Sequence, residues 1–262
     1  MTNHYVRGAR PDVMSRSHGA GGLVQDAGLT AHLNGVYAQM MIAMILSGLT
    51  AYVVGMELEA VIGGGATALI PEALLVQMFA PPWVYLIIFA PLALAIGFGF
   101  LARMMSVPVA RGLFYVFSVA MGLSLSTVFV RYTDASIVQS FVAASAAFGA
   151  TSLYGYTTKS DLSGWGRFLI MGVVGIIVVS LLNMFVFESA ALETVLSVVV
   201  LLVFAALTAY DAQRLRNEYL EMRRSGYHST VMEKSAIFGA LSLYLNFVNM
   251  FMAILSLSGE QD

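Results

Sequence analysis

An all-α integral membrane bundle with seven spans is the fold class this chain predicts, and three observations predict it. Hydrophobic residues make up 59% of the 262 positions and charged residues only 11%, against about 25% charged in a soluble domain. A chain this apolar cannot clothe a water-facing surface. Cutting the sequence at its charges leaves seven long uncharged stretches, six of them near the ~20 residues that cross a hydrocarbon core of about 30 Å. Lys and Arg then fall on alternate connections, as the positive-inside rule requires of a multi-span protein. The apolar runs are continuous and do not alternate, which excludes the strands of a membrane barrel.

Residues 1–31 are polar and small, with Arg7, Arg10, Arg16 and a glycine cluster from Gly19 to Gly22. They lack the contiguous apolar core of a cleavable signal peptide. They are read as a flexible cytoplasmic tail, and residues 32–262 as a seven-helix transmembrane domain. The first span is Leu33–Met56. The connection from Glu57 to Pro82 holds Gly63, Gly64 and Gly65. No Lys-Ser/Thr pair follows them, so they are not a phosphate loop, and the segment is read as a flexible loop. The second stretch, Ala73–Ala102, is too long for one span. Pro81-Pro82 predicts a helix start near Trp83, which then sits at the interface. Gly112–Val130, Ala135–Thr158, Phe168–Phe187, Thr194–Tyr210 and Ser235–Gly259 complete the set.

With the N-terminus placed in the cytoplasm, twelve of the thirteen Lys and Arg lie on that side and Arg131 alone lies outside. Outer connections carry Glu57, Glu59, Glu72, Asp134, Glu188 and Glu193 instead. Seven spans leave the C-terminus outside. The chain has no cysteine, and none of its four histidines lies within an apolar run. That removes thiol catalysis, thiolate metal sites, intramembrane His-metal chemistry and a Ser–His dyad. A net charge of −2 argues against a nucleic-acid partner.

Lipid gives little drive for helix association, so small residues mark helix contacts. In the fourth span Ser145 and Gly149, and Ala146 and Ala150, lie four apart, and this helix is read as central. Gly122, Ser124 and Ser126 in the third span, and Gly172, Gly175 and Asn183 in the fifth, are further packing positions. The last span carries Gly239, Ser242, Asn246, Asn249, Ala253 and Ser256 at spacings of three and four, which puts them on one face. The neighbouring stripe, Phe238, Leu241, Leu245, Val248, Met252 and Leu255, is apolar. Two readings of the polar stripe stay open: a seam of interhelical hydrogen bonds, or the wall of a polar pathway.

Asp211 stands where the sixth apolar run turns polar, on one face with Thr208 and Phe204. A charged residue within a span is costly, about 2.5–3.5 kcal/mol at a helix centre, and is a functional candidate for that reason. Asp211 is either interfacial and solvated or sheltered. The next charge is Arg214, so the helix continues past Asp211. Arg103, at the inner end of the second span, is a candidate ion partner.

Four stretches carry a resemblance: LTAYDAQRLR (Leu207–Arg216), GALSLYLNFVNMF (Gly239–Phe251), MGLSLSTVFVRYTDASI (Met121–Ile137) and FGATSLYGYTTKSDLSG (Phe148–Gly164). Across about Ala31 to Leu257 the chain resembles the Bax inhibitor-1/YccA family, also called the transmembrane Bax-inhibitor-motif family. The resemblance implies six helices around a central seventh. It also implies a pH-sensitive, calcium-leaking membrane protein, linked to stress tolerance and to a membrane protease. The family's pH sensor is a pair of aspartates, in an AYD motif, here Asp211, and in a YLDF motif. This chain reads YLNF, with Asn246 at the second position. Two close carboxylates share a proton; an Asp–Asn pair does not, since the amide donates to an ionised Asp211 at any pH. A weakened or shifted pH response is therefore expected.

Two functions follow as expectations. One is a cation (calcium) leak channel of a bacterial inner membrane. Asp211, Asn246 and Arg103 then form the gate, and Thr208, Gly239, Ser242 and Asn249 the polar pathway. Calcium favours several oxygen ligands, and Asp211 with these neighbours offers it a weak, transient site at most. No other cofactor is implied. The other is a membrane regulatory protein that binds a quality-control protease without ion flux, through the basic segment Arg214–Lys234. An enzyme is not expected. An intramembrane aspartyl protease needs a second aspartate where Asn246 stands, and a retinal protein needs a lysine within the last span, whereas Lys234 precedes it.

Overall fold

In the computed structural model, the described backbone covers residues 14–101 and 104–260, with side-chain surroundings from residue 27. Arg7, Arg10 and Arg103 lie outside these residues. The helices are α1 (Met14–Ile62), α2 (Glu72–Phe79), α3 (Trp83–Leu101), α4 (Val107–Leu125), α5 (Thr127–Arg131), α6 (Asp134–Thr157), α7 (Trp165–Leu182), α8 (Ala190–Arg224) and α9 (Ser229–Ser258). Among the described residues seven segments are long and apolar enough to cross a membrane: Ala27–Ile62, Trp83–Leu101, Val107–Arg131, Asp134–Thr157, Trp165–Phe187, Ala190–Arg224 and Ser229–Ser258. Every expected span is among them, and the second starts at Trp83 as expected.

Local chemistry sets the ends. The Thr133 hydroxyl accepts from Ser136 N at 3.3 Å and caps α6. The Ser189 hydroxyl accepts from Leu192 N at 3.4 Å and caps α8; such caps satisfy amides that a helix start leaves free. α8 stops at Gly226, whose φ of +68° is a left-handed turn that glycine enters without strain. The third span breaks at Ser126, whose hydroxyl donates to Leu123 O at 2.7 Å.

Two expectations are corrected at the first helix. Residues 27–31, assigned to the tail, belong to α1, and Leu29 is buried with Leu33, Val36 and Met40. Their spacing of three and four continues the apolar face of the span. The Glu57–Pro82 connection is an ordered cover. The Glu57 carboxylate accepts from Ala68 N at 2.9 Å and Leu69 N at 2.8 Å. That turn delivers α2, whose Leu75 is buried against Val54 and Leu58.

α9 is the axis of the bundle. It packs against α8, α6, α1 and α4, and 67% of its most apolar window is buried, against 11% for α3 and 6% for α7. Tyr244 meets the edges of Phe114 and Phe117, and Phe247 meets Phe141 and Phe148. α3 and α7 are peripheral and present apolar side chains outward.

The small-residue face of α6 is also corrected. Ser145, Ala146, Gly149 and Ala150 are exposed. The buried face is Ser136, Ser140, Ala144, Phe148, Ser152 and Gly155, one residue away around the helix. Both rows have small residues at helical spacing, so spacing alone does not separate them. Phe148, which buries far more surface than Gly149, sides with the inner row.

Candidate functional site

The AYD motif is a three-way junction. Successive helical residues turn by about 100°, so Ala209, Tyr210 and Asp211 face three different neighbours. Gly155 of α6 lies so close to Ala209 that an added Cβ would stand 2.0 Å from its carbonyl oxygen. Gly166 of α7 makes the same kind of approach to the Tyr210 ring, at 2.5 Å. Asp211 is thereby turned towards α9.

Asp211 is 3% exposed. On its Oδ2, Ser242 Oγ donates at 2.6 Å and Asn246 Nδ2 donates at 2.9 Å. Its Oδ1 lies 3.0 Å from Nη2 of Arg214, one turn further along α8. Two donors and a guanidinium compensate a carboxylate that would be expensive to bury alone. The sheltered reading of Asp211 holds and the solvated one does not. Among the described residues its ion partner is Arg214; the candidate Arg103 lies outside them. The i,i+3 spacing of Asp211 and Arg214 on one helix was legible, since residues so spaced are neighbours.

The polar stripe of α9 lies along α8 as a seam. Asn246 is buried at 4% exposure and Ser242 is half-buried. Gly239 makes room for Leu215: a Cβ there would meet Leu215 Cδ2 at 2.4 Å. Ser256 bonds Ser197, with the two Oγ atoms 3.0 Å apart. Thr208, fully buried, donates to Phe204 O at 2.8 Å and approaches Met250 Sδ at 3.7 Å. Asn249 donates to Leu245 O at 2.8 Å.

Asp211, Ser242 and Asn246 are thus brought together, while Thr208 and Asn249 are engaged elsewhere. Against calcium's need for several oxygens, this junction presents one carboxylate, and the neighbouring hydroxyl and amide nitrogen are both donating to it. Among the described residues no group of three His, Cys, Asp or Glu gathers to hold a metal.

Two residues of the same motif hold the α6–α7 turn, and the sequence reading did not single them out. Gln213 donates from Nε2 to Ser160 O at 2.7 Å and accepts on Oε1 from Leu162 N at 2.8 Å. Arg216 donates to Tyr156 O at 2.6 Å, at the end of α6. A buried amide in a polar run after an apolar helix was the available signal.

Residues 29–262 match the family described as inhibitor of apoptosis-promoting Bax1. An uncharacterized protein of Caulobacter vibrioides is 38% identical over 239 residues, covering 89% of this chain and 90% of that protein. The inner membrane protein YbhL of Escherichia coli K12 is 37% identical over 239 residues, covering 90% and 94%. An uncharacterized protein of Rickettsia prowazekii is 33% identical over 236 residues, covering 90% and 92%.

Proposed function

The chain belongs to the family of membrane proteins described as inhibitor of apoptosis-promoting Bax1, and from that membership we propose that it is a cation leak of a bacterial inner membrane, closed here at Asp211. The observation that carries this reading is the buried carboxylate itself. Asp211 joins α8 to the axial helix through Ser242 and Asn246, with Arg214 as its counter-ion. A charged residue within a span is costly and is by default a candidate for an ion or proton route. Opening then means releasing Ser242 and Asn246 from Asp211, which frees carboxylate oxygens for a passing calcium ion in weak, transient contact. The N-terminus is placed in the cytoplasm and the C-terminus outside, on the charge asymmetry.

The amide of Asn246 donates to Asp211 without a proton of its own to lose at physiological pH. The leak is therefore expected to respond only shallowly to pH. Calcium entry into liposomes is the test, with wild type, Asp211→Asn and Asn246→Asp. Wild type should conduct, Asp211→Asn should change the rate, and Asn246→Asp should steepen the profile measured from about pH 6 to 8, because two close carboxylates share a proton. Identical steep profiles in wild type and Asn246→Asp would refute the role given to Asn246. A purified protein that passes no ions transfers the reading to a membrane protein that acts on a quality-control protease through Arg214–Lys234.

A further inference from the structure

A cavity of about 560 Å³ opens between α7, α8 and α9, at the end of the bundle opposite Asp211. Asn183 and Glu193 stand at its rim, Ser197 and Ser256 on its wall and Asn249 at its floor. From Ser256 to Asn249 the cavity descends about 10 Å, seven residues of helix at 1.5 Å each. The amide oxygen of Asn249 accepts no bond from any described residue, because its nitrogen alone is used, on Leu245 O. A second cavity of about 340 Å³, under α3 and α4, also reaches Asn249. Below that floor, Asn246, Met250 and Thr208, all buried, close the way to Asp211.

The rim is fixed. Asn183 donates from Nδ2 to Ser189 O at 3.2 Å and accepts from Ser189 N at 3.0 Å. These bonds span a π-helical turn, Asn183–Phe187, that ends at Glu188 with φ +46°. Glu193 projects beside this turn. Its Oε1 lies 3.6 Å from Nη2 of Arg131, and both side chains are about half exposed, at 47% and 54%. Arg131 is the one basic residue that the charge asymmetry leaves on this side, and it comes from a different span. An exposed ion pair at that distance is weak and exchanges readily with dissolved ions.

We propose that this cavity is a cation-admitting vestibule. Glu193 at its rim favours small hydrated cations over anions, and Arg131 attenuates that preference. Only the vestibule's continuation towards Asp211 rests on the leak reading above. The charge preference of the cavity stands apart from flux.

The lack of cysteine gives a clean test. Ser256→Cys places a thiol on the cavity wall, and Ala66→Cys places one on the exposed α1–α2 connection as reference. Each protein, in lipid nanodiscs, reacts with a cationic and an anionic methanethiosulfonate of similar size. The cationic-to-anionic rate ratio should be higher at position 256 than at position 66. Adding Glu193→Gln should lower it at 256 about fourfold, the effect of one charge ~10 Å away acting oppositely on the two reagents in water. Adding Arg131→Gln should raise it, and position 66 should respond to neither. Ser197→Cys serves as a second wall position if Ser256→Cys fails to fold. A ratio at the wall equal to the reference and indifferent to Glu193→Gln overturns the vestibule. A charge-sensitive wall in a protein without calcium flux upholds the vestibule and defeats the leak. Flux with an indifferent wall does the reverse.

Discussion

Replacing Gly155 with alanine isolates the contact that aims the AYD motif. The new Cβ would lie 2.0 Å from Ala209 O and 2.7 Å from Ala209 C and Cα. Carbon and oxygen come no closer than about 3.3 Å in a comfortable contact, so α6 and α8 must part by roughly 1.3 Å. Both obstacles are backbone within helices, and no side chain can swing aside. Overpacking of this kind costs about 1–3 kcal/mol. The gain in helix propensity from Gly to Ala, up to about 1 kcal/mol, offsets part of it. A net loss of about 1 kcal/mol, the middle of what remains, lowers the melting temperature of a chain this long by roughly 2–4 °C. Gly149→Ala is the control on the same helix, because its Cβ would meet nothing within 4 Å and the propensity gain stands alone. The assay is thermal unfolding in detergent, followed by fluorescence of Trp83 and Trp165. Gly155→Ala should melt below wild type and Gly149→Ala at or above it. If the two variants melt together, the α6–α8 approach does not govern the junction.

Three further outcomes follow from the polar anchors. Gln213→Ala leaves Leu162 N and Ser160 O without their partner, a loss of about 0.5–1.5 kcal/mol per hydrogen bond at this partly exposed turn, and hydrogen exchange should quicken at residues 160–164 while α9 stays protected. Glu57→Ala frees the Ala68 and Leu69 amides, so limited proteolysis should cut within residues 63–71, where the wild type resists. Hydrogen bonds from the Ser163 backbone and side chain hold the Asp161 carboxyl below its ordinary value. A lowered folded-state value means that the contribution is present above the ordinary carboxylate range and is lost as pH falls through the folded value. Protection of the Ser163 amide, corrected for intrinsic exchange, should therefore fall only on acidification, and Asp161→Ala should remove that dependence.

The spans were legible because the bilayer leaves few alternatives: a run such as Phe168–Phe187 with no charge has one reading. Orientation of faces was less legible. In α9 the polar stripe separated itself from Phe238, Leu241 and Leu245 by chemistry, and its partner helix followed from Asp211. In α6 both candidate faces were small, and Gly155 lay just beyond the pattern that drew attention to Gly149. The pair of Asp211 with Arg214 was passed over for a related reason: a partner was sought across the bundle, while Arg214 stood three residues away on the same helix. The order in the α1–α2 connection was hidden because it depends on one carboxylate, Glu57, folding back on amides eleven and twelve residues later.

The axial helix, against which α1, α4, α6 and α8 pack, is also the last span in chain order. A bundle of the earlier spans without α9 would have a slot down its middle. Without α9, Asp211 would keep Arg214 of its own helix but lack the donors Ser242 and Asn246, and Ser197 would lack Ser256. Closing the bundle therefore rests on one helix that fills the slot and solvates a buried carboxylate with neutral donors in the same act.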